Sequence, residues 1–338
     1  MTKPMAGPRA TPAKRKAPAA QVLLHDHPNF ADLVRQVSQA KGIAPYLVEK
    51  DYWLMHSLWC LQQQGWVFEL KGGTSLSKGF GLIQRFSEDI DLCIPPPPSL
   101  ELKTGKNHDK PAHIAARLAF FDDLAHQMAQ RTMPGIVSIE RDTAFDDAKS
   151  RSAGIRLIYP VRTGALGGIK DGILLELGFD DTAPNAPCDI SSWLVDAALA
   201  TTVPIIDNRA KAVPCYSPAY TFVEKLQTVA TKYRNQQQAP SSAFPKNFLR
   251  HYHDLYGLLA SPDVQAFIGT PAYHARKQVR FPQADNLHIA SNPAFTLPDA
   301  NTRTLYAAKY KETSSLYYAG QVPFEAILAR IQQHIDRL

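Results

Sequence analysis

The chain has 338 residues, of which 45% are hydrophobic, and a formal net charge of +6 at pH 7. This length is enough for a full hydrophobic core, arranged as two domains or as one domain with a large appendage. No run of eighteen apolar residues occurs and the basic, proline-rich amino terminus lacks the apolar segment of a secretory signal, so we expect a cytoplasmic protein with no membrane contact.

The first predicted element is a basic tail at residues 1–20. It holds five positive charges and no acid, which leaves 32 basic and 31 acidic residues in the remainder. Such a tail is typical of disordered sequence. The rest of the chain is nearly neutral, so any affinity for a polyanion must come from local patches.

Residues 21–190 predict an α/β (α+β) core together with two helices at its start. Apolar residues recur at helical spacing over residues 29–64, with Pro45 at the start of a second helix. Short apolar runs at 66–70, 89–94, 155–160 and 173–179 suit strands. The helical pattern of residues 113–131 lies between them, so we expect a small sheet covered by helices on one side.

Residues 191–338 predict a helical carboxy-terminal domain, because the strand signals fade after about residue 190. Apolar residues repeat at helical spacing in FVEKLQTVATKYR, NFLRHYHDLYGLL and FEAILARIQQHIDRL.

Two aspartates share one of the predicted strands. Alternate side chains of a strand leave the same face, so Asp89 and Asp91 project together while Ile90 and Leu92 enter the core. A hard divalent cation such as Mg²⁺ would relieve the repulsion between these carboxylates. Glu176 has the same setting in LLELGF, and three carboxylates around two divalent ions suit in-line displacement at phosphorus.

A glycine pair precedes the aspartates. Gly72 and Gly73 permit close approach of a phosphate, and Thr74 and Ser75 can begin a short helix whose N–H groups face it. The spacing is neither a Walker A loop nor a dinucleotide fingerprint. A glycine pair alone is usually a turn and D-x-D alone is often a solvated strand, but their order favours a metal–nucleotide site.

Four segments carry a resemblance to a known family: VEKDYWL at 48–54, KGGTSLSKGFGLIQRFSEDIDL at 71–92, FVEKL at 222–226 and RHYHDLYGLL at 250–259. Over residues 45–260 the chain resembles the AbiEii/AbiGii (MenT-like) toxins of the DNA polymerase β-like nucleotidyltransferase superfamily. The resemblance implies an enzyme that uses Mg²⁺ and a nucleoside triphosphate to attach a nucleotide to an acceptor, which is a tRNA 3′ end in some relatives.

The resemblance also implies roles for single residues. It assigns phosphate contacts to Gly73 and Ser75, metal ligation to Asp89 and Asp91, triphosphate binding to Lys225 and an essential acid to Asp254. The role of Glu176 rests mainly on the strand pattern. Plainer explanations stay open for two of the residues, since Lys225 could lie on an ordinary solvated helix face and Asp254 could simply pair with Arg250 four positions earlier.

A basic acceptor site with stacking surfaces is expected in such an enzyme. Residues 225–253 contain basic residues and no acid, and AYHARKQVRF at 272–281 interleaves basic and aromatic residues. The candidate RNA-binding residues are Lys232, Arg234, Arg250, Arg276, Lys277 and Arg280. Such patches are also often merely solvent-facing.

Ser87 lies two positions before Asp89, so it shares the face of the aspartates if the strand begins early. We count it among the nucleotide-binding candidates and as a possible control point, because a phosphate added there would block the metal site.

The sequence as a whole predicts a Mg²⁺-dependent nucleotidyltransferase that acts as the toxin of a toxin–antitoxin or phage-defence pair, with a cognate antitoxin and an RNA acceptor as partners. The toxin role comes only from the resemblance. Two alternatives stay open: a nucleotide-binding regulator without turnover, and an enzyme that nucleotidylates protein.

Overall fold

The computed structural model describes residues 21–105, 107–164, 172–201, 203–239, 243–245 and 247–338. The predicted basic tail at residues 1–20 lies outside the described residues. Within the described part of the chain, no helix is long and apolar enough to cross a membrane.

Seven strands in the described residues form one mixed sheet, in the order β3-β4-β5-β2-β1-β7-β6. The strands are β1 (Glu69–Lys71), β2 (Asp89–Cys93), β3 (Ser138–Arg141), β4 (Ser152–Ile158), β5 (Ile173–Gly178), β6 (Asn185–Ile190) and β7 (Ala210–Tyr216). β1 runs antiparallel to β2 and parallel to β7, whereas β2 runs parallel to β5. The predicted mixed α/β fold is therefore confirmed.

Helices lie before, between and after the strands. They are α1 (Phe30–Lys41), α2 (Pro45–Gln63), α3 (Gly72–Thr74), α4 (Pro111–Ala129), α5 (Trp193–Leu199), α6 (Pro218–Gln238), α7 (Arg250–Leu258), α8 (Pro262–Phe267), α9 (Pro271–Arg280), α10 (Pro293–Thr296), α11 (Ala300–Lys311) and α12 (Phe324–His334). α3 continues directly into a π-helical turn at Ser75–Gly79.

Two hydrophobic clusters organise the described chain. The first packs α1, α2, α4 and α5 against one face of the sheet, and the second packs α6 to α12 with one another. Ile90, Leu92, Leu175 and Leu177 belong to the first cluster, which leaves the opposite face of β2 and β5 free for other side chains.

The sheet extends beyond the boundary at residue 190 that the sequence predicted. β7 lies between β1 and the edge strand β6, and ends at Tyr216. The run of helices that form the second cluster begins at α6. Leu76 and Ile83 also pack in the second cluster, so the segment after the glycine pair lies where the two clusters meet.

Candidate active site

The central strands align three carboxylates. β2 and β5 are parallel neighbours in which Asp91 is the register partner of Glu176. Along β2, the aspartates are partly exposed and the intervening Ile90 and Leu92 are fully buried. Asp89, Asp91 and Glu176 therefore lie on one face of the sheet, as the strand pattern predicted.

These carboxylates line a cavity of about 360 Å³, here called the central cavity. Its walls come from the segments around β1, β2 and β5 and from α6, α7 and α9. The lining residues are Lys71, Gly72, Gly73, Arg85, Ser87, Asp89, Asp91, Glu176, Thr221, Glu224, Lys225, Thr228, Lys232, Arg250, His251 and Arg280. Three carboxylates from the sheet and several cations, most of them on helices, thus line one cavity.

Crowding of the acids changes their proton affinity. Burial, followed by the charges of Asp91 and Asp89, raises the pKa of Glu176 to about 8. Burial also raises the pKa of Asp89, although the nearby Arg250 opposes the shift. Burial is thus the main reason why the proton-bound form of these acids is favoured, and repulsion between the carboxylates adds to it.

The residues present fit a divalent cation by their chemistry. Three carboxylates supply the oxygen donors that Mg²⁺ prefers, and the raised pKa of Glu176 marks a place where added positive charge is favourable. In the described part of the chain, no set of three or more His, Cys, Asp or Glu side chains is already spaced to hold an ion. The three acids thus offer suitable ligand atoms and charge, but the distances between their side chains are not yet those of a metal site.

The glycine pair presses against the acids. Gly72 has a φ of +70°, and a Cβ atom added to it would lie 2.0 Å from Oδ2 of Asp91. A Cβ atom added to Gly73 would lie 2.6 Å from Oγ of Ser87 and 2.9 Å from Nη2 of Arg85. A side chain at either position would therefore displace these polar groups, and the backbone itself forms this wall of the cavity.

The hydroxyls of Thr74 and Ser75 do not face the central cavity, so the predicted phosphate contact of this segment rests on its backbone N–H groups. Thr74 and Ser75 are fully buried and do not line the central cavity. Oγ1 of Thr74 donates to the carbonyl of Asp89 at 2.7 Å, and Oγ of Ser75 donates to the carbonyl of Tyr216 at 3.5 Å. The turn of α3 points these hydroxyls inward, where they tie the glycine segment to β2 and β7. Ser87, by contrast, lines the cavity as predicted.

Asp254 lies behind the cavity wall and does not line it. Its carboxylate is fully buried and accepts two hydrogen bonds from Arg85, at 2.6 Å from Nε and 2.8 Å from Nη2. Nζ of Lys225 lies 3.0 Å from the same carboxylate. Burial alone would raise the pKa of Asp254, but Arg85 and Lys225 outweigh it and hold the pKa below its usual range. Pairing with Arg250, the plainer explanation, is not what the structure shows.

The helices α6 and α7 supply the cationic part of the cavity. Nζ of Lys225 lies 3.4 Å from Nδ1 of His251, and burial lowers the pKa of that imidazole well below its usual value. Burial, with the charges of Arg250 and Lys225, lowers the pKa of Lys232 to about 8. His251 is thus neutral at pH 7, and Lys225 faces the cavity beside it.

A family model described as "Nucleotidyl transferase AbiEii toxin, Type IV TA system" matches residues 57–330. The chain belongs to this family. This AbiEii toxin is accordingly a nucleotidyltransferase, and its toxin–antitoxin system implies an antitoxin as partner. The match continues to α12, well past residue 260, and begins after the VEKDYWL segment. A search of curated proteins finds no match to the chain.

The structure of this AbiEii toxin divides the six predicted RNA-binding residues into two groups. Lys232, Arg250 and Arg280 line the central cavity. Arg234, Arg276 and Lys277 instead bind other parts of the protein. Arg234 donates to Asp285 at 2.6 Å, Arg276 donates to Glu224 at 2.7 Å, and Lys277 donates to the carbonyl oxygen of Leu338.

The prediction of an RNA contact is therefore corrected for Lys277, which is buried. It stays a prediction for Arg234, which is partly exposed, and for Arg276, which also lines a groove of about 670 Å³ beside the central cavity. Arg276 and Lys277 are buried, and the aromatic Tyr273 and Phe281 between which they lie belong to the second hydrophobic cluster. Alternating basic and aromatic residues in α9 arise here from core packing with internal ion pairs.

Sequence reasoning missed Arg85 and Lys71, which both line the cavity. Nζ of Lys71 donates to Asp180 at 2.7 Å, and the same carboxylate accepts from Arg280 at 3.2 Å. Their location could have singled them out, since Arg85 and Lys71 both lie inside the segment 71–92 that resembles the family. No local periodicity distinguishes Arg85, which lies in a loop, or Lys71, which ends the three-residue strand β1.

Proposed function

We propose that this AbiEii toxin uses Mg²⁺ to transfer a nucleotide from a nucleoside triphosphate to a hydroxyl group of RNA, such as a tRNA 3′ end. One observation carries the proposal: the side chains of Asp89, Asp91 and Glu176 lie on one sheet face, in a cavity whose other walls are a glycine pair and the cations of α6 and α7. Free triphosphates and RNA are the substrates, so we place the reaction in the cytoplasm.

Asp89, Asp91 and Glu176 would hold two metal ions. When bound, such ions favour ionisation of the attacking hydroxyl and neutralise the leaving pyrophosphate. Gly72 and Gly73 leave room for phosphate oxygens beside the backbone, and Lys225 places a positive charge on the triphosphate.

The proposed step forms one bond and breaks one. An acceptor hydroxyl oxygen bonds to the α-phosphorus, the bond from that phosphorus to the bridging oxygen breaks, and pyrophosphate leaves. One of the three site carboxylates, Asp89, Asp91 or Glu176, takes the proton of the acceptor hydroxyl.

A second substrate has space at the same carboxylates. A groove of about 670 Å³ adjoins the central cavity and shares Lys71, Asp91, Glu176 and Arg280 with it. Transfer between two substrates requires both to reach one reacting centre. The shared carboxylates therefore support a reaction in which the triphosphate occupies the central cavity and the acceptor reaches Asp91 and Glu176 through the groove.

A labelling assay tests the proposal. Purified protein is incubated with Mg²⁺, total RNA and each α-³²P-labelled nucleoside triphosphate in turn, and RNA is expected to become labelled. Asp89→Asn is expected to abolish the label, whereas Asp263→Asn, at an exposed position of α8, leaves it unchanged. Label on protein alone would replace the RNA acceptor with a protein acceptor, and no label on either would contradict the transfer.

A further inference from the structure

Arg85 is a cavity residue that the proposed reaction has not yet used. Only 1% of its surface is exposed, and it lines the central cavity beside Gly73 and Ser87. Nε and Nη2 each donate to Asp254, and Nη1 donates to the carbonyl of Phe86 at 3.2 Å. A guanidinium has five N–H groups, so two remain, one on Nη1 and one on Nη2.

The guanidinium lies directly behind the glycine pair. Nη2 is 2.9 Å from the position that a Cβ atom of Gly73 would take, and Oγ of Ser87 is 2.6 Å from the same position. Any larger residue at Gly73 would separate Arg85 from the cavity. The absence of a side chain at this residue thus keeps a buried cation next to the place proposed for phosphate.

Asp254 joins Arg85 to the second cation of the site. The same carboxylate contacts Arg85 from the segment after α3 and Lys225 from α6. Two positive charges and one negative charge leave a net positive charge on the cluster, since burial keeps His251 neutral. Asp254 fixes where both cations lie although its own side chain does not line the cavity.

We propose that Arg85 is a phosphate-binding residue and that Asp254 is a positioning residue, which holds Arg85 and Lys225 toward the triphosphate. The inference rests on the proposed function for the identity of the ligand. A planar guanidinium whose orientation is fixed by a carboxylate can donate two hydrogen bonds to the oxygens of a phosphate group. Its attraction to the phosphate is stronger where water is excluded. The competing explanation is an ion pair that only joins the two hydrophobic clusters.

The number of phosphates on the ligand separates the two explanations. Calorimetry with Mg²⁺ measures the affinity of the wild-type chain for the α,β-methylene triphosphates of the four nucleosides and for the matching monophosphates. Arg85→Gln is expected to weaken triphosphate binding by about tenfold or more and monophosphate binding by much less. Arg85→Lys restores part of the loss because it keeps the charge.

Two further variants complete the design. Asp254→Asn is expected to reduce the preference for triphosphate over monophosphate although it touches neither ligand. Arg330→Gln is the matched control, because Arg330 donates to the carbonyl of Tyr256 at 3.1 Å and does not line either cavity. This control is expected to bind both ligands as the wild type does.

Circular dichroism establishes which variants fold. If Arg85→Gln does not fold, Arg85→Gln combined with Asp254→Asn decides the matter, since it removes both charges of the pair together. An unchanged triphosphate preference in folded Arg85 variants would overturn the inference and leave the proposed function standing. Failure of the wild-type chain to bind any triphosphate would overturn both.

Discussion

At the scale of single residues, the site depends on groups that cannot be exchanged for near relatives. Gly72 combines a left-handed backbone with a position in contact with Asp91, whereas Gly81 has a similar φ of +65° and no neighbour within 4 Å of an added Cβ. Both glycines need a left-handed backbone, but only Gly72 also needs the space beside Asp91. Comparing substitutions at the two positions therefore distinguishes these two requirements.

Gly72→Ala is expected to reduce RNA labelling by at least about a hundredfold, because its methyl group displaces the Asp91 carboxylate by more than an ångström. Gly81→Ala carries the same backbone penalty, about 1 kcal/mol, and is expected to keep most activity. Initial rates and thermal unfolding of both variants check this. Equal activity losses would show that the backbone conformation alone matters.

The three carboxylates of Asp89, Asp91 and Glu176 predict that the effect of metal on stability depends on pH. Because the folded-state pKa of Glu176 is raised from 4.5 to about 8, the folded chain without metal keeps a proton that the unfolded chain releases between these values. Rising pH in this window therefore lowers the stability of the metal-free fold. A divalent cation favours the ionised acid, so its stabilising effect is expected to grow from pH 6 to pH 8.

Thermal unfolding with and without Mg²⁺ across this pH range measures the effect. Glu176→Gln is the control, since it cannot release the proton and should show a weaker pH dependence of the metal-induced shift. A shift that is the same at every pH, in wild type and variant alike, would contradict a role for Glu176 in holding metal.

At the scale of elements, the sequence predicted where individual strands lie better than it predicted which strands are adjacent in the sheet. The aspartate strand and the glutamate strand were recognisable because side chains alternate along each of them. That β2 pairs directly with β5 depends on contacts between distant residues, which a local pattern does not contain. β6 and β7 were missed because Pro187 and Pro214 are turn signals that normally argue against a strand.

A second difficulty concerns helices that carry charge. Basic residues in α9 were predicted to face RNA, but the same spacing also suits arginines that pair internally with acids from other elements. For Asp254, the local pattern offered Arg250, four positions earlier, as a partner. Its partner in the structure is Arg85, which is 169 positions away in the chain. Pairs at such separations cannot be predicted from helix periodicity.

Helix α2 supports the segment after the glycine pair through a buried ion pair. Asp51 is fully buried, accepts a hydrogen bond from the backbone N–H of Trp193 at 2.8 Å, and forms an ion pair with Lys78 of the π-helical turn. Burial raises the pKa of Asp51, with Lys78 opposing the shift. The pair thus fixes the turn that follows Gly72 and Gly73 to α2.

Lys78→Met is expected to lower the free energy of unfolding by about 3 kcal/mol at pH 7, because a buried carboxylate loses its partner. The loss should be smaller at pH 5 than at pH 7, because burial raises the pKa of Asp51 and a lower pH favours its neutral form. Lys309→Met removes an exposed pair with Glu312 and should cost less than about 1 kcal/mol. Urea unfolding at both pH values compares the variants, and equal losses for Lys78 and Lys309 would contradict the argument.

At the scale of the whole molecule, the site lies between the two hydrophobic clusters. The sheet contributes the carboxylates and the helical region contributes Lys225, Lys232 and Arg250. The family match covers both parts, from residue 57 to residue 330. A metal held by the sheet and a triphosphate held by the helices must therefore bind together for the proposed transfer to occur.

A crystal grown with Mn²⁺ and an α,β-methylene triphosphate tests this arrangement most directly. Anomalous scattering is expected to show manganese between Asp89, Asp91 and Glu176, with the triphosphate extending from the metal along Gly72 and Gly73 to Lys225. Manganese at other residues, or a triphosphate bound away from these carboxylates, would contradict the account.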